Sequence, residues 1–220
     1  MEVMFDYHMH TIISDGDLIP AELIRRGEIA GYRILGISDH SDLATIASQL
    51  PVIAGAAKAE NVNGRVRVLA GTEITHVRPG QILEAVRMAR EVGAQYVMVH
   101  GETLSEPVAP GTNRAAIEAG VDILAHPGLI DPDDVRLASE RGVFLEISGR
   151  RGHSLANGHV AKLAHKYGAK LIFGSDTHTV GDVPTRSFAH RICRAAGLDE
   201  TAALEMFANA EAFGIAMTPL

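Results

Sequence analysis

At 220 residues the chain is long enough for one domain with a large core and short for two, so residues 1–220 are expected to form a single domain. Twenty basic residues against twenty-seven acidic ones give a net charge of −7, which opposes nonspecific attraction to a nucleic-acid backbone or an anionic membrane. No stretch approaches the roughly 18 consecutive apolar residues of a membrane span. The first strand, starting near Val3, is expected to leave no room for a leader, and the lone Cys193 cannot form an internal disulfide, so a cytoplasmic protein is expected.

With 46% hydrophobic and only 5% aromatic residues, the composition suits an α/β core of Ile, Leu, Val and Ala. Val3, Phe5 and Tyr7 alternate with Met4 and Asp6 in a short strand that runs into His8 and His10. Residues i and i+2 of a strand share a face, so both imidazoles can aim at one ion. Asp15 follows in a Ser14-Asp15-Gly16 turn. Pro20 can start a helix that Gly31 ends. The buried strand Ile34 to Ile37 then delivers Ser38-Asp39-His40, and an Ala-rich region from Leu43 to Glu60 reads as a helix interrupted by Pro51.

Val66 to Ala70 is a third strand, ending in Gly71-Thr72-Glu73, and Gln81 to Val92 has helical spacing with Gly93 as its stop. Tyr96 to Val99 ends in His100. The polar loop from Gly101 to Gly111 has the length of a lid or a pocket wall. A short helix from Asn113 to Ala119 precedes the strand Val121 to Ala125, which exits at His126. Asp131 and Pro132 start a helix closed by Arg141 and Gly142. Val143 to Ile147 is the sixth strand, with a helix from Ala156 to Tyr167 behind it. Leu171 to Phe173 is the seventh and delivers Ser175-Asp176-Thr177-His178. Helices near Pro184–Ala196, which carries Cys193, and Asp199–Ala210 complete the chain.

Seven strand-helix units with short apolar strands imply a parallel sheet covered by helices. An open doubly wound sheet gathers ligands at one crevice. Here nearly every strand end offers one, and a closed barrel brings so many ends to a common centre. The exits supply His8, His10, Asp15, His40, Glu73, His100, His126, Asp176 and His178. Six of the eleven histidines are among them. Nine such groups exceed what one ion can use and suit two or three divalent ions with a carboxylate as bridge. Imidazole and carboxylate without thiolate favour Zn, Mn, Fe or Co.

On the His8-Met9-His10 element, the Asp39-His40 pair, Glu73, the single histidines 100 and 126, and the closing Asp176-Thr177-His178, the chain resembles the PHP (polymerase and histidinol phosphatase) family of metallohydrolases. The resemblance implies a distorted seven-stranded β/α barrel of the TIM type, with a trinuclear metal centre of Zn, Mn or Fe at the C-terminal ends of the strands. It implies that His8, His10, Glu73 and Asp176 hold one ion, that Glu73 bridges to a second held by His100 and His126, and that Asp15, His40 and His178 hold a third. Glu73, Asp176 and His178 are the residues expected to carry catalysis.

The expected chemistry is hydrolysis of a small phosphate monoester, such as histidinol phosphate, by a metal-bound hydroxide. Arg150 and Arg151 after the sixth strand, Arg114 after the long loop, and His76 and His153 are the candidates for substrate contact, with Arg78 as a further one. Solvated surface positions are the competing reading for these residues. His159, His165 and His190 fall in helices and are expected to be structural. The partner expected is a small phosphorylated molecule, with no membrane and, given the acidic chain and scarce aromatics, with nucleic acid disfavoured. Two alternatives stand beside it. One is a phosphodiesterase or nuclease of the same family; the other is a non-catalytic metal-binding module. An amidohydrolase bridged by a carboxylated lysine is disfavoured, because none of the four lysines follows a strand. Oligomeric state is not readable.

Overall fold

The computed structural model describes residues 3–218. Its strands are β1 (Met4–Asp6), β2 (Tyr32–Ile37), β3 (His40–Ser41), β4 (Arg67–Ile74), β5 (Tyr96–His100), β6 (Ile123–Ala125), β7 (Phe144–Ser148) and β8 (Leu171–Gly174). All neighbours pair in parallel, in the order β1-β2-β4-β5-β6-β7-β8. The two-residue β3 pairs with β4 just beyond β2, so β2 and β3 form one stave interrupted at Ser38-Asp39. Seven staves therefore make a TIM-like α/β barrel.

The barrel nearly closes between its first and last staves, through residues just past the regular strands. His10 N–H donates to the Thr177 carbonyl (2.8 Å) and Thr177 N–H to that of His8 (3.3 Å). Asp6 completes the seam: its carboxylate accepts from the backbone N–H of His8 and of Ser175. Burial pushes its pKa up to about 7. The seam carries His8, His10, Asp176 and His178, so barrel closure and assembly of the site are one event.

Among the described residues eight helices cover the sheet: α1 (Pro20–Ala30), α2 (Ile46–Glu60), α3 (Pro79–Val92), α4 (Thr112–Ala119), α5 (Pro132–Arg141), α6 (Asn157–Tyr167), α7 (Arg186–Ala195) and α8 (Glu200–Met217). The expected break at Pro51 is absent, and α2 runs through it. Proline six residues into a helix removes one interior hydrogen bond. Burial of Ile46, Leu50, Ile53 and Ala57 against the sheet outweighs that loss. Cys193 is buried in α7. No helix among the described residues is long and apolar enough to cross a membrane.

Strand alternation sorts the interior into two clusters. Val68, Ala70, Val97, Val99, Leu124, Leu145 and Ile147 pack outward against the helices. Phe5, Tyr7, Leu69, Tyr96, Met98, Ile123 and Ile172 form a second cluster inside the barrel, floored by Phe213 of α8. Tyr96 donates its hydroxyl to the Tyr7 carbonyl (2.7 Å), and Tyr7 to that of Ala210 (2.7 Å). Gly71 is required here, since a Cβ on it would overlap the Tyr96 ring. The inward face that holds Tyr96 and Met98 continues to His100, and that of Leu69 and Gly71 continues to Glu73. Period two thus delivers ligand-type side chains above a hydrophobic floor.

Candidate metal centre

Two carboxylates stand at the centre of the open end. Nε2 of His8 lies 3.3 Å from Glu73 Oε2 and 3.6 Å from Asp176 Oδ1, and Nε2 of His10 lies 3.5 and 3.4 Å from the same atoms. Ligands of a tetrahedral ion with bonds of about 2.0–2.2 Å stand about 3.3–3.6 Å apart, so the spacing suits such an ion. His8 Nε2, His10 Nε2, Glu73 Oε2 and Asp176 Oδ1 are buried without a hydrogen-bond partner. Orphaned buried polar atoms are costly, and four converging on one point fit a cation between them.

Glu73 has the disposition of a bridge. Its Oε2 faces His8 and His10, while Oε1 lies 3.5 Å from His126 Nε2. His100, His126 and His153 bring ring nitrogens within 4.8 Å of one another, which makes a second group able to hold an ion. His10, Asp15, His40 and His178 make a third, with Asp15 Oδ1 at 3.6 Å from His40 Nε2 and 3.2 Å from His178 Nε2. Asp15 is more than half exposed. Its carboxyl is held well below the ordinary range by the three surrounding histidines, which overcome the effect of burial. Ligation at His178 Nε2 needs its proton on Nδ1, where the Asp176 carbonyl at 3.0 Å can accept it. Arg150 Nη1, 2.7 Å from that Nδ1, competes for the same position.

Local backbone geometry is unusual at these exits. His126 (φ 25°) and Asp176 (φ 54°) occupy positive φ, a conformation costing of order 1–3 kcal/mol in non-glycine residues and concentrated at functional sites. Asp39 is not directed at the cluster. Its carboxylate accepts from Thr11 N–H (2.7 Å), Thr11 Oγ1 (2.8 Å) and Ser14 Oγ (2.7 Å), fixing the turn that presents Asp15.

Burial pushes His10 down to about 3 and His153 to about 4, so both are neutral near pH 7 and have a lone pair to give. Burial also opposes the imidazolium of His8, yet Glu146, Glu73 and Asp176 around it raise its pKa well above 6.5.

Two participants escape sequence reading. Glu146 sits mid-strand in β7, on the inward face it shares with Phe144 and Ser148, and is fully buried. Its Oε1 lies 2.9 Å from His8 Nδ1, and its Oε2 accepts the backbone N–H of His126 (2.8 Å). It therefore orients two ligand-type histidines from behind. A charged residue inside the apolar run Val143 to Ile147 was the available signal. Glu106, from the long loop, stands over the rim at 3.1 Å from His100 Nε2, 3.4 Å from His76 Nε2 and 3.5 Å from His153 Nε2.

The candidates for substrate contact divide. Arg150 borders the cluster, 3.7 Å from Asp176 Oδ2 through Nε. His153 is buried, stacks on His126 at 4.1 Å and hydrogen-bonds Thr103 and Ser105, which puts it among the ligand-type residues. His76 is at the exposed rim. Arg151 is exposed, and Arg114 is committed to an ion pair with Asp134. His159 and His190 bond Ile130 and Glu200, as structural histidines do.

No family model matches the chain. It is 42% identical over 197 residues to the uncharacterized protein MJ1295 of Methanocaldococcus jannaschii, covering 88% of this chain and 90% of that one. This chain belongs to the same family as MJ1295. This chain is also similar to ribonuclease P protein component 3 of Methanosarcina acetivorans, 28% identical over 218 residues, 91% of this chain and 84% of that one. Among solved structures, a chain of archaeal ribonuclease P with mature tRNA superposes with a TM-score of 0.72 at 18% identity, covering 98% of this chain and 91% of that one. Histidinol phosphate phosphatase of Lactococcus lactis, complexed with zinc, superposes at 0.62 with 13% identity, 90% and 95% covered.

The fold is PHP-like, and its clusters fit a metal-dependent hydrolase. The expectation that nucleic acid is an improbable partner and that partners are small phosphorylated molecules is overturned by the ribonuclease P similarities. Its physical basis was the net charge of −7 and the 5% of aromatic residues, whole-chain quantities that do not describe a local surface.

Proposed function

We propose that this chain is a metal-dependent phosphoesterase acting on phosphodiester linkages of RNA or its fragments, in place of a free small monoester. The observation that carries the hydrolytic part is the set of buried, unpartnered atoms of His8, His10, Glu73 and Asp176. They fit a divalent ion in spacing and donor type. The similarity to ribonuclease P components supports RNA as the substrate class.

His8, His10, Glu73 and Asp176 would hold one ion, His100 and His126 with the far oxygen of Glu73 a second, and Asp15, His40 and His178 a third. Such ions, when bound, acidify a water and neutralise charge on phosphoryl oxygens. The chain's own groups complete the site. Arg150 presents a guanidinium beside Asp176, where it can fork onto a phosphate. Neutral His153 offers a lone pair to an ion or to substrate. When His8 is neutral, Glu146 holds its proton on Nδ1 and leaves Nε2 open to an ion.

A second reading, a non-catalytic member of a ribonucleoprotein assembly, is favoured by the ribonuclease P relative and its coverage of both chains. One experiment separates the two. After loading with Mn or Zn and elemental analysis, turnover is measured on p-nitrophenyl phosphate, bis-p-nitrophenyl phosphate and a short oligoribonucleotide. Diester and RNA cleavage that Asp176→Asn and His126→Ala abolish supports the enzyme. Fully loaded protein that hydrolyses none of the three overturns it and leaves the assembly role.

A further inference from the structure

Beside the metal centre, the exits of β7 and β8 and the start of α7 enclose a cavity of about 450 Å³, lined by Arg150, Arg151, Arg191, Ser175, Asp182 and Phe188 among others. Three guanidiniums meet one carboxylate there, on a chain whose net charge is −7. That carboxylate is already engaged: Asp182 Oδ2 accepts from the N–H groups of His178 and Thr179 and from the Thr179 hydroxyl. Arg151 and Arg191 pair with no carboxylate among the described residues.

The cavity shares a wall with the metal centre. Arg150 Nη1 donates to the Asp176 carbonyl (3.1 Å) and reaches His178 Nδ1 (2.7 Å). A chain of phosphates entering the centre would thus pass from one compartment to the next across a single arginine. Phe188 is 45% exposed, with the Arg191 guanidinium 5.4 Å from its ring centroid. Guanidinium forks for phosphate beside an exposed aromatic face are the two elements that single-stranded nucleic-acid sites combine.

We propose that this cavity is a nucleotide subsite for single-stranded RNA: Arg151 and Arg191 take the phosphate of the nucleotide next to the one at the metal centre, and Phe188 stacks on its base. The proposal rests on the phosphodiesterase reading for its substrate class, and on the cavity alone for its binding groups.

The test is fluorescence anisotropy of Mn-loaded protein with a short 3′-fluorescein oligoadenylate carrying cleavage-resistant phosphorothioate linkages. Phe188→Ala is expected to raise Kd about tenfold, the scale of one lost base-aromatic stack. Arg151→Gln and Arg191→Gln are each expected to lower the slope of log Kd against log salt by about 0.7, one phosphate contact on a single strand. All three side chains are exposed, so circular dichroism should be unchanged. Arg33→Gln, at the opposite barrel end where it faces Glu211 at 3.5 Å, is the control and should bind like the parent protein. Unchanged Kd in Phe188→Ala together with unchanged salt slopes would overturn the subsite. Hydrolysis of bis-p-nitrophenyl phosphate by the same preparations keeps the two ideas apart. Turnover with normal binding by all variants refutes the subsite and leaves the phosphoesterase standing. Lost binding in the variants without turnover in the parent supports the subsite and removes the phosphoesterase.

Discussion

Glu146 makes the sharpest test of how the candidate metal centre is built. The backbone N–H of His126 is a fixed donor to Oε2, while the donor facing Oε1 is His8 Nδ1, whose proton can move to Nε2. In Glu146→Gln the amide oxygen can keep the His126 bond, and the amide nitrogen then faces His8. That pair is satisfied only if Nδ1 accepts, which places the His8 proton on Nε2, the atom directed at Glu73 and Asp176. Where His8 is neutral, the variant therefore keeps its metal-free hydrogen bonds and loses a ligand; at lower pH it also loses the Glu146 charge that supports the His8 imidazolium. The expected loss is about 10–100-fold in metal affinity, or about 1.4–2.7 kcal/mol. Glu146→Ala differs, because it strands two buried donors at about 1–3 kcal/mol each and lowers the metal-free melting temperature as well. Chelator competition gives the affinities, and melting in EDTA gives the stabilities. Unchanged metal affinity in Glu146→Gln would refute the tautomer argument.

Metal addition at about 100 times Kd should stabilise the fold by about 2.7 kcal/mol, a rise in melting temperature of about 5–11 °C by scanning fluorimetry. The gain should grow with pH. The raised pKa of metal-free His8 contributes stability that is fully present below 6.5 and lost as pH rises through the folded value, while ligation requires that same proton to leave. A gain that shrinks with rising pH would contradict this. Glu73→Gln should cost more than one ion per chain in elemental analysis, since its two oxygens face different histidine groups; loss of a single ion would argue against bridging. Gly71→Ala should destabilise by about 1–3 kcal/mol or more through overlap with Tyr96, seen as a lower melting temperature in EDTA. An unchanged value would mean the barrel floor is looser than its packing indicates.

The barrel was legible because period-two strands and helix stops are local signals. The histidine and carboxylate exits were legible because they recur at one end of every stave but β7. Glu146 was not, because its partners His8 and His126 are 138 and 20 residues away, and pairing across staves depends on register. Glu106 was hidden by a loop without periodicity. The continuity of α2 through Pro51 was misread because a local breaker rule does not see the tertiary burial of Leu50 and Ile53.

The misjudged partner shows where composition stops being informative. Net charge governs the far field, which salt screens within about 8–10 Å. Contact with a polynucleotide is decided inside that distance, where unpaired guanidiniums and bound cations set the sign. Acidic residues such as Glu22 and Asp133 are tied to arginines of their own helices, α1 and α5. They lower the total, while Arg151 and Arg191 pair with no carboxylate among the described residues. An acidic total is therefore compatible with an RNA-facing centre, and the quantity that discriminates is the salt slope of binding.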